Sequence, residues 1–310
     1  MPRRKVGLFL SKNQQSKKLF NSLLSIKNLD TIQCVIDQKI DKRALEKDFL
    51  EKDVREKDQV DRNFKFRSKF NFEKLDTLLI CANPDSVRKN FATIDSLDKP
   101  IKIIDMSRAF TFASWYDYLI QPQPASQSEQ LTNVTLPYPI AGAGHFLFSP
   151  LAETLVKINS MKVVIGKEYF SSFYPQMESK NDAFDTKAAE NIVLNELREM
   201  FYRLKSDSKR KQQFTYQIDH FTDCMYLDRC SGVFITAIVS SPLNNIEINK
   251  LYKDFLSTLS LPGLKSTTSK DIIYENFTIS IQPINNEYMI LIHIKDCLKF
   301  YMKMVELNLD

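Results

Sequence analysis

Short apolar runs alternate along this chain with stretches whose apolar residues recur at helical spacing, and that alternation restricts the fold more than any other feature. The run VGLFL after Lys5 suits a strand buried in a parallel sheet. Residues 14 to 26 then place Leu19, Phe20, Leu23, Leu24 and Ile26 at helical spacing. Further strands are expected at Thr31 to Ile36, Leu75 to Cys81 and Ile101 to Ile104, with a helix at Asp85 to Thr93. Strands and helices in this order imply an α/β unit: a Rossmann-like doubly wound parallel sheet with helices on its faces.

A chain of 310 residues exceeds the size at which one core usually keeps growing, so two domains are expected. The boundary falls in Gln121 to Thr135, where Pro, Gln and Ser replace the periodic apolar pattern. We place the first domain at residues 1–125, completed by a helix over 294–310, and the second at 126–293. The second reads as helices around Leu151 to Ile158, Thr186 to Leu204 and Ile246 to Leu259, and strands at Lys162 to Ile165, Gly232 to Val239, Ile272 to Tyr274, Phe277 to Gln282 and Tyr288 to His293. A last helix runs from Lys295 to Leu307. Hairpins beside helices suggest an α+β domain with a mixed sheet.

Between the second and third of these strands lies DKRALEKDFLEKDVREKDQVDRN, in which Glu and Lys recur at helix-compatible spacing and apolar residues are sparse. It reads as an exposed charged helix near residues 40–62, either a self-solvating insertion or an arm on which a protein partner docks. The basic cluster beginning at Lys205 precedes Phe214 and Tyr216, a pairing that can suit single-stranded nucleic acid. The net charge of +5 is small for this length, so the cluster reads as a solvated linker and nucleic acid is not an expected partner.

Hydrophobic residues make up 43% of the chain, with 22 Phe and 12 Tyr, which excludes general disorder. No apolar run approaches the roughly 18 to 20 residues that span a bilayer, and the opening apolar stretch is too short for a signal peptide. A cytoplasmic protein with no membrane partner is expected. Cys34, Cys81, Cys224, Cys230 and Cys297 form no C-x-x-C unit, so reduced thiols and no metal site are expected.

Several segments line up, in order, with one family. Asp76-Thr-Leu-Leu-Ile-Cys-Ala-Asn-Pro, then Ile103-Ile-Asp-Met-Ser-Arg-Ala-Phe with Trp115 and Tyr116 after it, resembles N-acetyl-gamma-glutamyl-phosphate reductase, where a "V-I-D-L-S-A-D-F-R" strand precedes a Trp-Tyr pair. Met225 to Val239 is similar to the family's "P-M-x-R-G-x-L-x-T-V" strand, and Asp296 to Leu309 resembles its closing helix. Aspartate-semialdehyde dehydrogenase shares the architecture. The resemblance implies a semialdehyde-dehydrogenase plan: a nucleotide-binding-type first domain binding NADP or NAD, completed by the C-terminal helix, and a homodimer joined through the second domain's sheet.

The chemistry of that plan is incomplete here. A dinucleotide site needs glycines after the first strand so that backbone can approach the pyrophosphate at a helix N-terminus. The turn here is Ser11-Lys-Asn-Gln-Gln-Ser, without glycine. If cofactor binding is retained, Ser11, Lys12, Asn13, Asn83 and Ser107 are the residues to hold it; otherwise no cofactor is expected. The family's thiolate attacks the acyl carbon with a histidine as acid/base. The resemblance places that nucleophile near Pro139 or Ile140, yet no cysteine occurs between Cys81 and Cys224. The histidine is missing too, since the comparable helix reads Glu190-Asn-Ile-Val-Leu-Asn-Glu-Leu-Arg-Glu-Met.

Two catalytic candidates remain. His145 follows the pair Gly142 and Gly144 in what reads as a turn, either binding an anion or staging an acid/base histidine, or else letting Phe146 to Phe148 enter the core. Arg229 matches a family arginine that clamps a carboxylate or phosphate, with an ion pair to Asp228 as its alternative. Three functions stay open. The first is a non-catalytic relative, a pseudoenzyme, acting in interaction, assembly or regulation. The second is an NAD(P)-dependent oxidoreductase acting on an aldehyde or acyl phosphate with altered chemistry. The third is a sensor holding a small anion between Lys12, Ser107 and Arg108.

Overall fold

The computed structural model describes residues 4–11, 16–17, 20–21, 23, 29–36, 63–66, 75–95, 101–109, 117–118, 133–152, 154, 156–174, 185–207, 222–227, 232–258, 265–266, 271–274 and 277–309. By its internal contacts the chain divides into two compact units. The first comprises residues 1–119, 125–136 and 304–310, and the second residues 120–124 and 137–303. The division passes between Leu136 and Pro137, somewhat later than the expected boundary, and only the last turns of the terminal helix count with the first unit.

Seven parallel strands form the sheet of the first unit: β1 (Arg4–Leu10), β2 (Leu29–Ile36), β3 (Asn63–Phe66), β4 (Thr77–Cys81), β5 (Lys102–Asp105), β6 (Asp117–Tyr118) and β7 (Asn133–Thr135). Their order is β3-β2-β1-β4-β5-β7-β6, so the chain starts in the middle, winds outward one way to β3, then returns to β4 and winds the other way. Val6, Leu8 and Leu10 are wholly buried and every residue of β4 is buried, as a sheet covered on both faces requires. The sequence reading missed β3. Its four residues, NFKF, follow a long charged segment and carry too few apolar positions to show a period. Helix α1 (Pro84–Asp95) follows β4. The charged segment 40–62 lies outside the described residues.

The second unit carries a mixed seven-stranded sheet of β8 (Lys157–Gly166), β9 (Thr222–Leu227), β10 (Val233–Ser240), β11 (Lys265–Ser266), β12 (Asp271–Tyr274), β13 (Phe277–Ile284) and β14 (Glu287–Ile294). The order is β11-β12-β13-β14-β10-β8-β9, antiparallel except for the parallel pair β8 and β9. Strict alternation along β10 and β14 buries Val233, Ile235, Ala237, Ile290 and Ile292 on one face and leaves Phe234, Ile238, Met289 and Leu291 half-buried on the other. Among the described residues, five helices accompany this sheet: α2 (Pro139–Phe148), α3 (Lys167–Phe173), α4 (Thr186–Asp207), α5 (Asn245–Thr258) and α6 (Cys297–Leu309).

Two expectations are corrected here. Residues 151–158 do not form a helix: a 3₁₀ turn closes at Leu151 and β8 starts at Lys157. The apolar residues Val156, Ile158, Met161 and Val163 fit helical spacing in part, but their burial follows the strand. The glycine-containing segment 141–145 is not a turn but the middle of α2, every residue of which is buried. Proline at the first helical position favours that start. Each glycine costs a helix about 1 kcal/mol relative to alanine, which close packing offsets here. A Cβ at Gly144 would lie 3.0 Å from Met200 of α4, and one at Gly142 would lie 3.3 Å from Phe300 of α6.

Candidate functional site

At the carboxyl ends of the first sheet's strands, β1 and β4 lie side by side where the winding direction reverses, the position at which open α/β sheets bind ligands. Ser11 follows β1 and is buried; its Oγ accepts the Asn83 amide at 2.6 Å, directly joining the two strand ends. The Ser11 amide in turn donates to Ser16 Oγ at 3.3 Å, and the Ser16 hydroxyl donates to the Cys81 carbonyl at 2.8 Å. Asn83 also caps α1: its Oδ1 accepts the Asp85 amide at 2.9 Å, and its carbonyl accepts from Val87. Lys12 and Asn13 lie outside the described residues.

One strand over, Asp105 is fully buried and organises the loop after β5. Its Oδ1 accepts both the Ser107 amide at 2.9 Å and the Ser107 hydroxyl at 2.5 Å, while the Thr135 hydroxyl lies 3.4 Å from Oδ2. Ser107 Oγ accepts the Ala109 amide at 3.1 Å. Arg108 between them has φ of 64°, in the left-handed region that side chains other than glycine seldom enter. Ser11, Asn83 and Ser107 therefore do stand at the carboxyl ends of three adjacent strands, each with defined contacts inside the scaffold.

The second locus is the N-terminus of α2, where Pro139 and Ile140 open the helix. Tyr138 takes the N-cap position but its side chain makes no capping bond. The cap comes from another helix: Glu196 of α4, fully buried, accepts the Ala141 amide at 3.3 Å through Oε2. Its Oε1 accepts the phenols of Tyr169 at 2.5 Å and Tyr174 at 2.6 Å, distances typical of a hydroxyl donating to a carboxylate. Aromatic rings close the surroundings: Tyr138 packs on Phe173, Tyr174 and Tyr301 with centroids 5.4 to 5.9 Å apart, and Tyr169 stacks on Phe173 at 5.0 Å. Burial, then the charge of Glu196, pushes the Tyr169 phenol well above its ordinary value.

His145 lies further along α2, 1% exposed, with Nδ1 3.4 Å from Ser149 Oγ. Burial, and then the Arg203 guanidinium, holds it well below the usual histidine range, so it is neutral at pH 7. Glu196, Glu199, Met200 and Arg203 recur at the spacing of one face of α4, and Glu199 too is buried. Glu196 falls three residues after Val193 and four before Met200, on the apolar stripe of α4, and the donors that give it a role come from segments far from it in sequence.

Among the described cysteines none is poised as a nucleophile. Cys34 and Cys81 are buried and burial pushes both thiols far up; Cys81 Sγ also lies 3.5 Å from Met106 Sδ. Cys224 is pushed up to about 11 by burial and by Glu190 and Asp223, and Cys297 is 2% exposed. Cys230 and Arg229 lie outside the described residues. Among those described, no three His, Cys, Asp or Glu side chains converge to hold a metal, and no helix is long and apolar enough to cross a membrane.

No protein-family model and no curated protein sequence matches the chain. Solved structures do. Aspartate semialdehyde dehydrogenase II from Vibrio cholerae superposes with a TM-score of 0.62 at 8% identity, covering 99% of this chain and 97% of that one. The same enzyme complexed with ASA gives 0.60 at 8% identity over 100% and 99%. Aspartate semialdehyde dehydrogenase with NADP from Candida albicans gives 0.59 at 7% identity over 99% and 98%. With a doubly wound first sheet, a mixed second sheet and a likeness spanning nearly the whole of both chains, this protein has the semialdehyde-dehydrogenase fold.

Proposed function

We propose that this chain is a non-catalytic member of the semialdehyde-dehydrogenase fold, a cytoplasmic homodimer that works as an interaction, assembly or regulatory protein. The observation that carries this reading is Glu196. Near the residues where the resemblance puts an attacking thiolate, the helix N-terminus is engaged by the protein's own carboxylate and packed round by buried aromatic rings. A thioester mechanism needs room there for an acyl group and a thiolate beside it. The thiols of Cys34, Cys81 and Cys224 are held protonated elsewhere.

The described end of the nucleotide crevice also fits a dinucleotide poorly. Pyrophosphate binding in this kind of sheet uses free backbone amides beside a glycine turn, whereas the Asn83 amide donates to Ser11 and the turn holds no glycine. The homodimer reading rests on the half-buried apolar face of the second sheet, where Phe234, Ile238, Met289 and Leu291 sit on adjacent strands. The charged segment 40–62 is the proposed protein-partner arm.

A second reading, an NAD(P)-dependent oxidoreductase acting on aldehydes or acyl phosphates with altered chemistry, is favoured by the strand order and by the likeness to an enzyme solved with NADP. It requires the turn after β1 to hold a pyrophosphate without glycine. Thermal-shift titration with NADP, NAD and phosphate, followed by NADPH oxidation and NADP reduction assays with semialdehyde and acyl-phosphate substrates, separates the two. No nucleotide shift at millimolar ligand and no turnover are expected. A saturable NADP shift with turnover overturns the non-catalytic reading, and a shift with phosphate alone identifies an anion sensor.

A further inference from the structure

Strand β9 ends the second sheet. It pairs in parallel with β8, from Met161 beside Thr222 to Gly166 beside Leu227, and no strand among the described residues lies against its other edge. An unpaired edge presents amides and carbonyls that another chain can join, and proteins usually guard it by shortness or with lysine. The strands that end the sheets elsewhere are guarded in these ways. β3 has four residues with Lys65 among them, β6 has two, and β11 has two beginning with Lys265. β9 runs for six residues, TDCMYL, with neither lysine nor proline.

Along β9, Met225 and Leu227 are 45% and 40% exposed on one face, while Cys224 and Tyr226 are half-buried on the other. The exposed face continues across β8 through Val164, beside Met225, to Phe234 on β10. Each face carries an acid at this edge. On the outer face Asp223 is exposed and lies 3.4 Å from Lys162 of β8. On the inner face stands Glu190 of α4, also exposed and making no ion pair among the described residues. Its charge reaches the strand: burial and then Glu190 push the Cys224 thiol up to about 11.

We propose that the open edge of β9 is a strand-addition site for an extended segment of a partner protein, apolar at alternate positions and carrying lysine or arginine. Main-chain bonds to the edge supply the affinity, and side chains set between Asp223 and Glu190 supply the selection. Six residues at about 3.3 Å each give a seat about 20 Å long. The two acids decide the occupant. Pairing β9 with its own copy about a two-fold axis would bring both acids of both chains to one seam, where like charges oppose association, whereas a basic segment is drawn to them. The inference rests on the reading of this chain as an interaction protein and names a surface and a partner chemistry for it.

The test uses the full-length protein and the fluorescein-labelled peptide Lys-Val-Thr-Val-Thr-Val-Lys. Two control peptides accompany it, one with Glu in place of both Lys and one N-methylated at every interior residue. Anisotropy should saturate with the basic peptide at a half-point below about 1 mM. N-methylation should weaken binding at least about tenfold, since it removes the main-chain donors. The acidic peptide should bind more weakly than the basic one, although a net charge of +5 would favour it if the general field decided. Glu190→Lys, at an exposed position, should weaken the basic peptide by about threefold to fivefold and keep the unfolding midpoint of wild type. Hydrogen exchange should slow along β9 when the basic peptide is added.

No saturable binding, equal binding of either control peptide, an unchanged response in Glu190→Lys, or binding without slower exchange along β9 overturns the proposal. So does exchange in the free chain that is slow at every β9 amide even at high dilution, which assigns the edge to a segment of this chain. Slowing that grows with protein concentration assigns it to a second copy and overturns the proposal equally. No nicotinamide enters these measurements. Failure of the peptide leaves the non-catalytic reading to the turnover assay, and turnover would sink that reading while leaving the edge result in place.

Discussion

The Asn83 amide donates to Ser11 Oγ at 2.6 Å, so the ends of two parallel strands are tied together where the sheet's winding reverses. The serine hydroxyl there does what solvent or a ligand phosphate would otherwise do.

Ser11→Ala removes the acceptor and leaves the Asn83 amide to water. Urea unfolding is expected to show a loss of about 1 kcal/mol, the usual net value of one such bond. A loss below experimental error would mean that the strand ends are held by other contacts.

His145 makes stability fall in mild acid. It is held neutral in the folded state well below its ordinary value of 6.5, so the unfolded chain takes up a proton that the native chain refuses. Its contribution is complete above pH 6.5 and is lost as pH falls from there toward the folded value. Urea midpoints at pH 7.5, 6 and 5 should decline with a slope of at most about 1.4 kcal/mol per pH unit from this group. His145→Gln removes the titrating group and should flatten that part of the curve.

At the alkaline end the sign reverses. Tyr169 and Tyr252 are fully buried phenols whose ionisation is pushed well above the ordinary value of 10 by burial. They contribute full stability below pH 10 and lose it as pH rises past that point toward their folded values. Unfolding monitored at pH 9, 10 and 11 should show a steep decline, shallower in Tyr252→Phe, whose hydroxyl otherwise donates to the Leu147 carbonyl.

The glycines separate into two kinds. A Cβ at Gly232 would sit 2.6 Å from the Ile294 carbonyl oxygen, which belongs to a paired strand and has little room to move. Gly232→Ala is expected to cost about 2 kcal/mol or more. At Gly144 the nearest atom is the flexible end of Met200, and alanine improves helix propensity, so Gly144→Ala should lie within about 1 kcal/mol of wild type. Equal losses at the two positions would refute this account.

The proposed dimer face has its own test. Phe234→Glu and Leu291→Lys place charge on the half-buried face of the second sheet. Light scattering after gel filtration should show a dimer for wild type and a monomer for the double variant. An unchanged mass would move the interface elsewhere.

Much of this architecture was legible because its signals are local. The runs behind β1, β4 and β14 and the stripe of α4 are long enough to fix a period, and the motif around Asp105 placed the chain beside a known plan. What was missed depends on partners far away in sequence. The segment around Gly142 and Gly144 reads as a turn until Met200 and Phe300 are brought against it, and only that contact makes a glycine-containing helix favourable. Glu196 is equally opaque on its own, since a charged residue on an apolar stripe has meaning only with Tyr169, Tyr174 and the Ala141 amide around it. The bond from the Asn83 amide to Ser11 Oγ likewise joins residues 72 apart and has no local signature.

Asp105 carries a lesson about what such a motif certifies. Its carboxylate is spent on Ser107 and Thr135, and its carbonyl accepts the Leu136 amide, so this stretch, one of those that carry the resemblance, is a joint that fastens β5, its loop and β7 together. A joint of that kind is needed whether or not any substrate ever arrives. Likeness at this signature is therefore a statement about carpentry, and it says how three pieces of chain are fastened rather than what they handle.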